Sequence, residues 1–255
     1  MVVVPAGSFT MGSNESEQYR PPISETAKRK GLDREYNREA KHAVAIARPF
    51  AIGKFEVTFQ QWDQCVSENG CTHKADDVGW GRNRRPVINV SYGDAKEFVA
   101  WLSKKTGKAY RLLSEAEWEY SARALVKFTP TPPPFSTGPT IGFQQANYDA
   151  NFTYAKGNGG LYRQKTVDVG TLPKNAFGLH EMHGNVWEWV EDCYKDSYAG
   201  APTDGSPVVE ASCDMRILRG GSWNYQPHAL RSAYRFATWP DLRVNMAGFR
   251  IARSL

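Results

Sequence analysis

The residues best suited to chemistry gather in two stretches. In FGLHEMHGNVWEWVED (177–192), Asn185 and Glu188 offer side-chain oxygens, and Gly184 and Val186 could present backbone carbonyls. Hard cations such as calcium take several oxygens from an irregular loop, so calcium is the metal this composition suits. His180 and His183 lie three positions apart, a spacing that on a helix would turn both imidazoles the same way. A transition metal held there would still need a third ligand, which nothing nearby supplies. The competing reading is structural, with Trp187 and Trp189 anchoring a core turn while Glu188 satisfies backbone amides. Further back, Asn147, Asp149 and Asn151 alternate in a polar segment (145–170) that is expected to return to a strand. Cation ligation and Asx turns explain that alternation equally well.

The second stretch is RGGSWNYQPHALRSAYRFATWPDLRVNMAGFRIARSL (219–255). It holds glycine turns, spaced arginines and many aromatics, but no cysteine, no carboxylate pair and one histidine, His228. Arg231, Arg235, Arg243 and Arg250 have the planar fork that grips carboxylates and carbonyls, and fixing loops is its stronger reading here. Some of the side chains between them must be core, but Pro227 and Pro240 argue for loops. Aromatics displayed on rigid loops are what a binding face uses. Neither a nucleophile elbow, a P-loop, a dinucleotide fingerprint nor H-E-x-x-H occurs, so the residues give catalysis no support.

Three helices are expected to position these stretches. Thr58 opens the first, with Gln61 as its capping-box partner and Phe59, Trp62 and Val66 buried. Ser91 caps the second, whose apolar face carries Ala95, Phe98, Val99 and Leu102 and which stops at Gly107. Ser114 and Glu117 open the third, which turns Trp118 and Ala122 inward. The segment 42–58 alternates and is rich in β-formers, so strands are expected there. Residues 13–40 read as a polar loop or arm, and the proline-rich run FTPTPPPFSTGPTIG excludes helix and central strand. Past Ala124 the chain is short strands and long loops, with no helix expected. The pattern is α+β, in one domain spanning residues 1–255.

Composition narrows the function classes. A net charge of +5 spread among interleaved acids leaves no basic stripe, so nucleic acid is a poor partner. No apolar run approaches the roughly 18 residues of a membrane span. The opening MVVVPAGSFTMGS lacks a basic leader and reads as a strand and turn. Cys65 and Cys71 enclose one short turn, and Cys193 and Cys213 enclose a loop. Three pairings are open, and the set suits loop-stapling disulfides in an exported or cell-surface protein. Four reduced thiols in a cytosolic protein is the other reading, and the lack of C-x-x-C spacing counts against zinc.

VVVPAGSFTMGS, PFAIGKFEVTFQQW, RPVINVSYGDAKEFVAWLSKKTGKAYRLLSEAEWEYSARA, NAFGLHEMHGNVWEWVED and LRGGSW…LRSAYR…GFRIA, in this order, resemble the formylglycine-generating enzyme, or sulfatase-modifying factor, superfamily. The resemblance implies a C-type-lectin-like fold with little regular secondary structure. The founding enzymes bind copper through two cysteines shortly after the GGS turn; Tyr225 and Leu230 stand there, so no copper is expected. Calcium as a structural ion would fall to Glu181, Gly184, Val186 and Glu188, with Glu181 in place of the family's asparagine and a second site matching only around Asn147. Relatives from diversity-generating retroelements, the variable proteins, bind ligands through this same C-terminal stretch. On that model Trp223, Asn224, Tyr225, Gln226, His228, Phe236, Thr238, Trp239, Leu242, Val244 and Met246 form the face. Gly220, Gly221, Arg231, Arg235, Gly248, Phe249 and Arg250 form its frame. The resemblance thus implies a non-catalytic module for a protein, peptide or glycan ligand. The rivals are a metal-dependent oxidoreductase built on His180 and His183, and an appendage of a larger protease or kinase chain.

Overall fold

Each of the three helices among the described residues starts on a reciprocal capping box; the sequence predicts the boxes at Thr58 and Ser114, and at Ser91 it predicts the cap alone. α1 (Phe59–Ser67) is capped by Thr58 with Gln61, α2 (Tyr92–Thr106) by Ser91 with Asp94, and α3 (Glu115–Arg123) by Ser114 with Glu117. The cap side chain accepts from the N3 amide while the N3 side chain accepts from the cap amide, so two otherwise orphaned donors are paired. Gly107 ends α2 in the left-handed region. The computed structural model describes residues 1–13, 39–125 and 127–255. Residues 14–38, most of the segment expected to be an arm, lie outside the described residues.

The strands are short. β1 (Val2–Val4), β4 (Phe50–Ile52), β10 (Ala252–Ser254) and β5 (Tyr110–Arg111) make one sheet in that spatial order. β2 (Gly7–Met11) and β3 (His42–Ile46) pair as an antiparallel ribbon. The central sheet orders β8 (Phe236–Thr238), β7 (Arg216–Arg219), β6 (Trp187–Cys193) and β9 (Ala247–Gly248), and its β6–β9 pair is parallel. This is the expected α+β pattern, with two departures in the second half. Pro227 opens a 3-10 turn (Pro227–Leu230), and Phe236–Thr238 pairs with β7, so a stretch expected to be loop carries an edge strand. No strand follows the 145–170 segment.

β6 is buried on both faces, and its two-residue alternation sorts its side chains. Trp187 and Trp189 join the cluster formed with Trp62, Phe98 and Phe249. Val190 joins the opposite cluster with Trp118, Phe9 and Ile217. The expected helix faces are nearly as read, except that Val66 and Leu102 are half-buried and Cys65 completes the inward face of α1. Cys65 bonds Cys71 and Cys193 bonds Cys213, closing two local loops.

The long loops hang on guanidinium forks, all buried except that of Arg243. Arg231 clasps Glu39 (2.7 and 3.0 Å), Arg235 clasps Glu115 (2.6 and 3.0 Å), and Arg250 clasps Glu188 (2.7 and 2.6 Å). Arg243 takes Asp94, the α2 capping carboxylate, through two bonds of 2.7 Å. Arg219 bonds Glu119 and also donates to the backbone carbonyls of Ser232 and Ala233, at 2.8 Å each. Both partners of the Arg250–Glu188 pair are essentially inaccessible. Removing one partner therefore strands a charge, which costs about 3–5 kcal/mol. Arg250→Met is expected to lower stability by about that much in denaturant titration, and a loss under about 1 kcal/mol would show that Glu188 finds another partner or water.

Candidate ligand-binding face

Residues 219–250 divide by burial along the line the sequence suggested. The seven frame positions, Gly220, Gly221, Arg231, Arg235, Gly248, Phe249 and Arg250, are all buried. Gly220 (φ +100°) and Gly221 (φ +76°) make the turn after β7 in the left-handed half of backbone space. A Cβ on Gly221 would stand 2.5 Å from Leu230 Cδ1, so the turn needs glycine on both counts. Leu230, where copper enzymes of the resembling family have a cysteine, is buried in an apolar cluster with Phe135, Tyr148 and Tyr154.

Of the eleven side chains read as the face, nine are half-buried: Trp223, Asn224, Tyr225, Gln226, His228, Phe236, Leu242, Val244 and Met246. Trp239 is 66% exposed. Thr238 is the exception, since it is the last residue of β8, pairs opposite Arg216 and is buried. It belongs with the frame, because a residue inside a ladder cannot be displayed as a loop residue is.

The face is organised around Trp187. Its ring lies 5.2 Å from Tyr225 (edge-on), 5.2 Å from Phe236 (stacked) and 5.9 Å from Tyr234. Its indole Nε1 is buried without a hydrogen-bond partner. Burial raises the Tyr225 phenol above its ordinary range, and burial with Arg231 nearby lowers the His228 imidazole, so both are neutral at pH 7. Trp223 is steadied by donating from Nε1 to the Asn245 carbonyl (3.1 Å), and it meets Trp80 edge-on at 5.1 Å and Tyr162 in a stack at 6.4 Å. Trp80, Tyr162 and Tyr234 are the members that sequence reasoning missed, and Trp187, read as a core anchor, is buried as the floor of the face. Trp80 and Tyr162 come from loops far away in the chain, and only the aromatic surplus of the sequence hinted at them.

Several of the oxygens read as a calcium set have protein partners in this arrangement. Glu188 accepts from Arg250 through both oxygens and from Trp118 Nε1 (2.8 Å). Its partners are side chains, not the backbone amides expected. Glu181 turns away to accept from the amides of Gly170 (3.0 Å) and Leu172 (3.1 Å). Asn185 bridges Asn147 (3.1 Å) and Glu56 (3.0 Å), leaving Asn147 Oδ1 and Glu56 Oε2 buried without partners. Gly184 and Val186 lie beside these groups in the chain, but among the described residues no three His, Cys, Asp or Glu converge as a metal set. Asp149 accepts from Asn151 in an Asx-type turn (3.2 Å), the second of the two readings given for that alternation.

The histidine pair lies in a loop, not on a helix. His183 is fully buried, with Nδ1 against the Leu230 carbonyl (2.8 Å) and Nε2 accepting from the Ser136 amide (3.1 Å). His180 Nδ1 bonds the Leu172 carbonyl (2.7 Å). His183 thus has no free ring nitrogen for a metal, and the oxidoreductase reading loses its first candidate pair.

Comparison with known proteins agrees with the motif order. Residues 1–255 match the family model for the sulfatase-modifying factor enzyme 1-like domain. The chain is 31% identical to a Chlamydia caviae protein named serine/threonine-protein kinase pkn1, over 69% of this chain and 25% of that one. It thus spans about a quarter of the length of that relative. It is 29% identical to the formylglycine-generating enzyme of Mus musculus, over 99% of this chain and 74% of that one. Among solved structures, PvdO from Pseudomonas aeruginosa aligns with a TM-score of 0.77 at 35% identity, covering 99% and 93% of the two chains. The Treponema denticola variable protein 1 aligns with a TM-score of 0.73 at 24% identity, covering 100% and 95%, a likeness of fold.

Burial lowers the His183 pKa from 6.5 to about 4. Between those values the unfolded chain takes up a proton that the folded chain refuses. The contribution is complete above pH 6.5 and falls by about 3 kcal/mol as pH drops to about 4. His183→Gln is expected to remove this part of the acid slope, read as the change in denaturant midpoint between pH 7 and pH 5. An unchanged slope would assign the titration to another group.

Proposed function

We propose that this chain, which belongs to the sulfatase-modifying factor enzyme 1-like family and has its C-type-lectin-like α+β fold, is a non-catalytic ligand-binding module. Its ligand is a protein, peptide or glycan held on the face around Trp187, Trp223 and Trp239. One observation carries this reading: the frame of residues 219–250 is buried and clamped, while the aromatic and amide side chains between frame positions stay accessible. Rigid rings on a fixed backbone lose little entropy on binding, which favours recognition. The face contains no thiol and no ionised acid–base pair, and its imidazole, His228, is neutral. The fold likeness to a variable protein supports the same use of this surface.

The two disulfides suit an oxidising setting, and we place the protein outside the cytosol, exported or on a cell surface. Among the described residues no helix is long and apolar enough to cross a membrane. The kinase-named relative, matched over a quarter of its length, supports a further role as an appended recognition domain of a larger chain.

A second reading, an oxidoreductase, is favoured by the enzyme name of the Mus musculus relative. The dicysteine copper mechanism of the resembling family is not available to it, because neither Tyr225 nor Leu230 supplies a thiolate.

Peptide and glycan arrays probed with the whole chain test the first reading. Trp239→Ala is expected to weaken the best array ligand by roughly 30-fold, a hot-spot loss of about 2 kcal/mol, without moving the thermal midpoint. Stoichiometric copper or iron in the purified protein, together with oxygen consumption, would instead establish the oxidoreductase.

A further inference from the structure

Apart from the aromatic face, a cleft of about 320 Å³ opens where the turn after β4 meets the loop carrying Arg84. Its wall includes Lys54, Phe55, Gln60, Gln61 and Arg84, with Glu56 behind. Lys54 Nζ stands 5.4 Å from the centre of the Phe55 ring and Arg84 Cζ stands 5.8 Å from it, so one ring gathers two cations. Arg84 is held there by donating from Nη2 to the Val169 carbonyl (2.8 Å). Neither cation forms an ion pair with a carboxylate of the described residues. Elsewhere arginine is usually matched: Arg82 with Asp63, Arg111 with Glu117, Arg123 with Glu119, and the forks above. A cation–π contact at an exposed site contributes only about 0.5–1 kcal/mol and leaves the charge uncompensated. Two like charges on one ring repel, and a bound anion would relieve that.

Glu56 is the only acid among the described residues of the wall, and its carboxyl lies in the interior. Its Oε1 accepts from Asn185 Nδ2, and its Oε2 is buried without a partner. Burial, reinforced by Glu181, holds the carboxyl well above the usual carboxylate range.

We propose that this cleft is a phosphate site, in which Arg84 and Lys54 hold the oxyanion and Gln60 adds a donor, with Phe55 beneath. A guanidinium provides two parallel bonds to such an anion, and an ammonium adds a mobile point charge. The phosphate is either free or the head of a small aryl ester whose ring rests on the apolar wall beside Phe55.

The test is calorimetry or phosphorus NMR on the whole chain at low ionic strength, with inorganic phosphate and phenyl phosphate as probes. Saturable binding is expected, and Lys54→Gln with Arg84→Gln together should weaken it by about tenfold or more at an unchanged thermal midpoint. Trp239→Ala should leave it unaffected, which separates this site from the aromatic face. Tighter binding of phenyl phosphate assigns an aryl ester, and equal binding assigns free phosphate. The proposal fails if neither probe saturates or if the double variant binds as wild type does.

Discussion

Arg250 and Glu188 meet where the last segment of the chain crosses the central strand, and much of the structure is organised around that contact. Glu188 sits in β6 between two core tryptophans, and Arg250 follows β9. Arg250 also donates from Nη1 to the Gly53 carbonyl and from Nη2, the nitrogen that bonds Glu188 Oε1, to the His180 carbonyl. One side chain therefore holds the turn after β4, the 180 loop and the C-terminal strands together. A buried ion pair of this kind gives little net stability over a well-packed apolar pair, because both ions are desolvated. What it provides is register: five planar donors accept only one arrangement of acceptors around them.

The same device recurs because this fold has few strand ladders to carry its loops. Arg219, Arg231, Arg235 and Arg243 each tie the C-terminal segment to a carboxylate elsewhere in the chain. Three of those carboxylates lie on α2 or α3, and the fourth, Glu39, stands beside Ser13 at the closure of the 13–39 segment. Asp94 does double service, since it caps α2 and receives Arg243. Charges placed at helix starts for local reasons thus become anchor points for a remote loop. The result is a backbone fixed independently of the side chains between the anchors, which is the condition for displaying varied residues without losing the fold.

Among the buried polar groups of the described residues that lack protein partners, two sets differ in meaning. The Trp187 indole lies under rings that a ligand could part. The Glu56 and Asn147 oxygens end a chain of amide and carboxyl groups running through Asn185. Orphaned buried groups are costly, so each marks a place where an outside group would be stabilised. The two places are chemically distinct: one is aromatic and uncharged, and the other lies behind a cationic cleft.

Local order was legible in the residues themselves. The helix caps at Thr58, Ser91 and Ser114, the stop at Gly107 and the inward faces of the helices follow from hydrogen-bond reach and the 3.6-residue repeat, which act within a few positions. The arginine spacing told that forks would form, and the glycine turn and motif order pointed to the family. Which carboxylate each fork finds was not legible, because Glu39, Glu115, Asp94 and Glu188 are brought to the arginines only by chain crossings. The same limit explains Thr238, pulled into a ladder by β7, and Trp80 and Tyr162, carried to Trp223 from separate loops. It explains the calcium oxygens as well: Glu181 and Glu188 are close in sequence, but tertiary contacts point them at different donors. Short-range chemistry was determined by the sequence alone, and the pairing of distant charges and rings was decided by the fold.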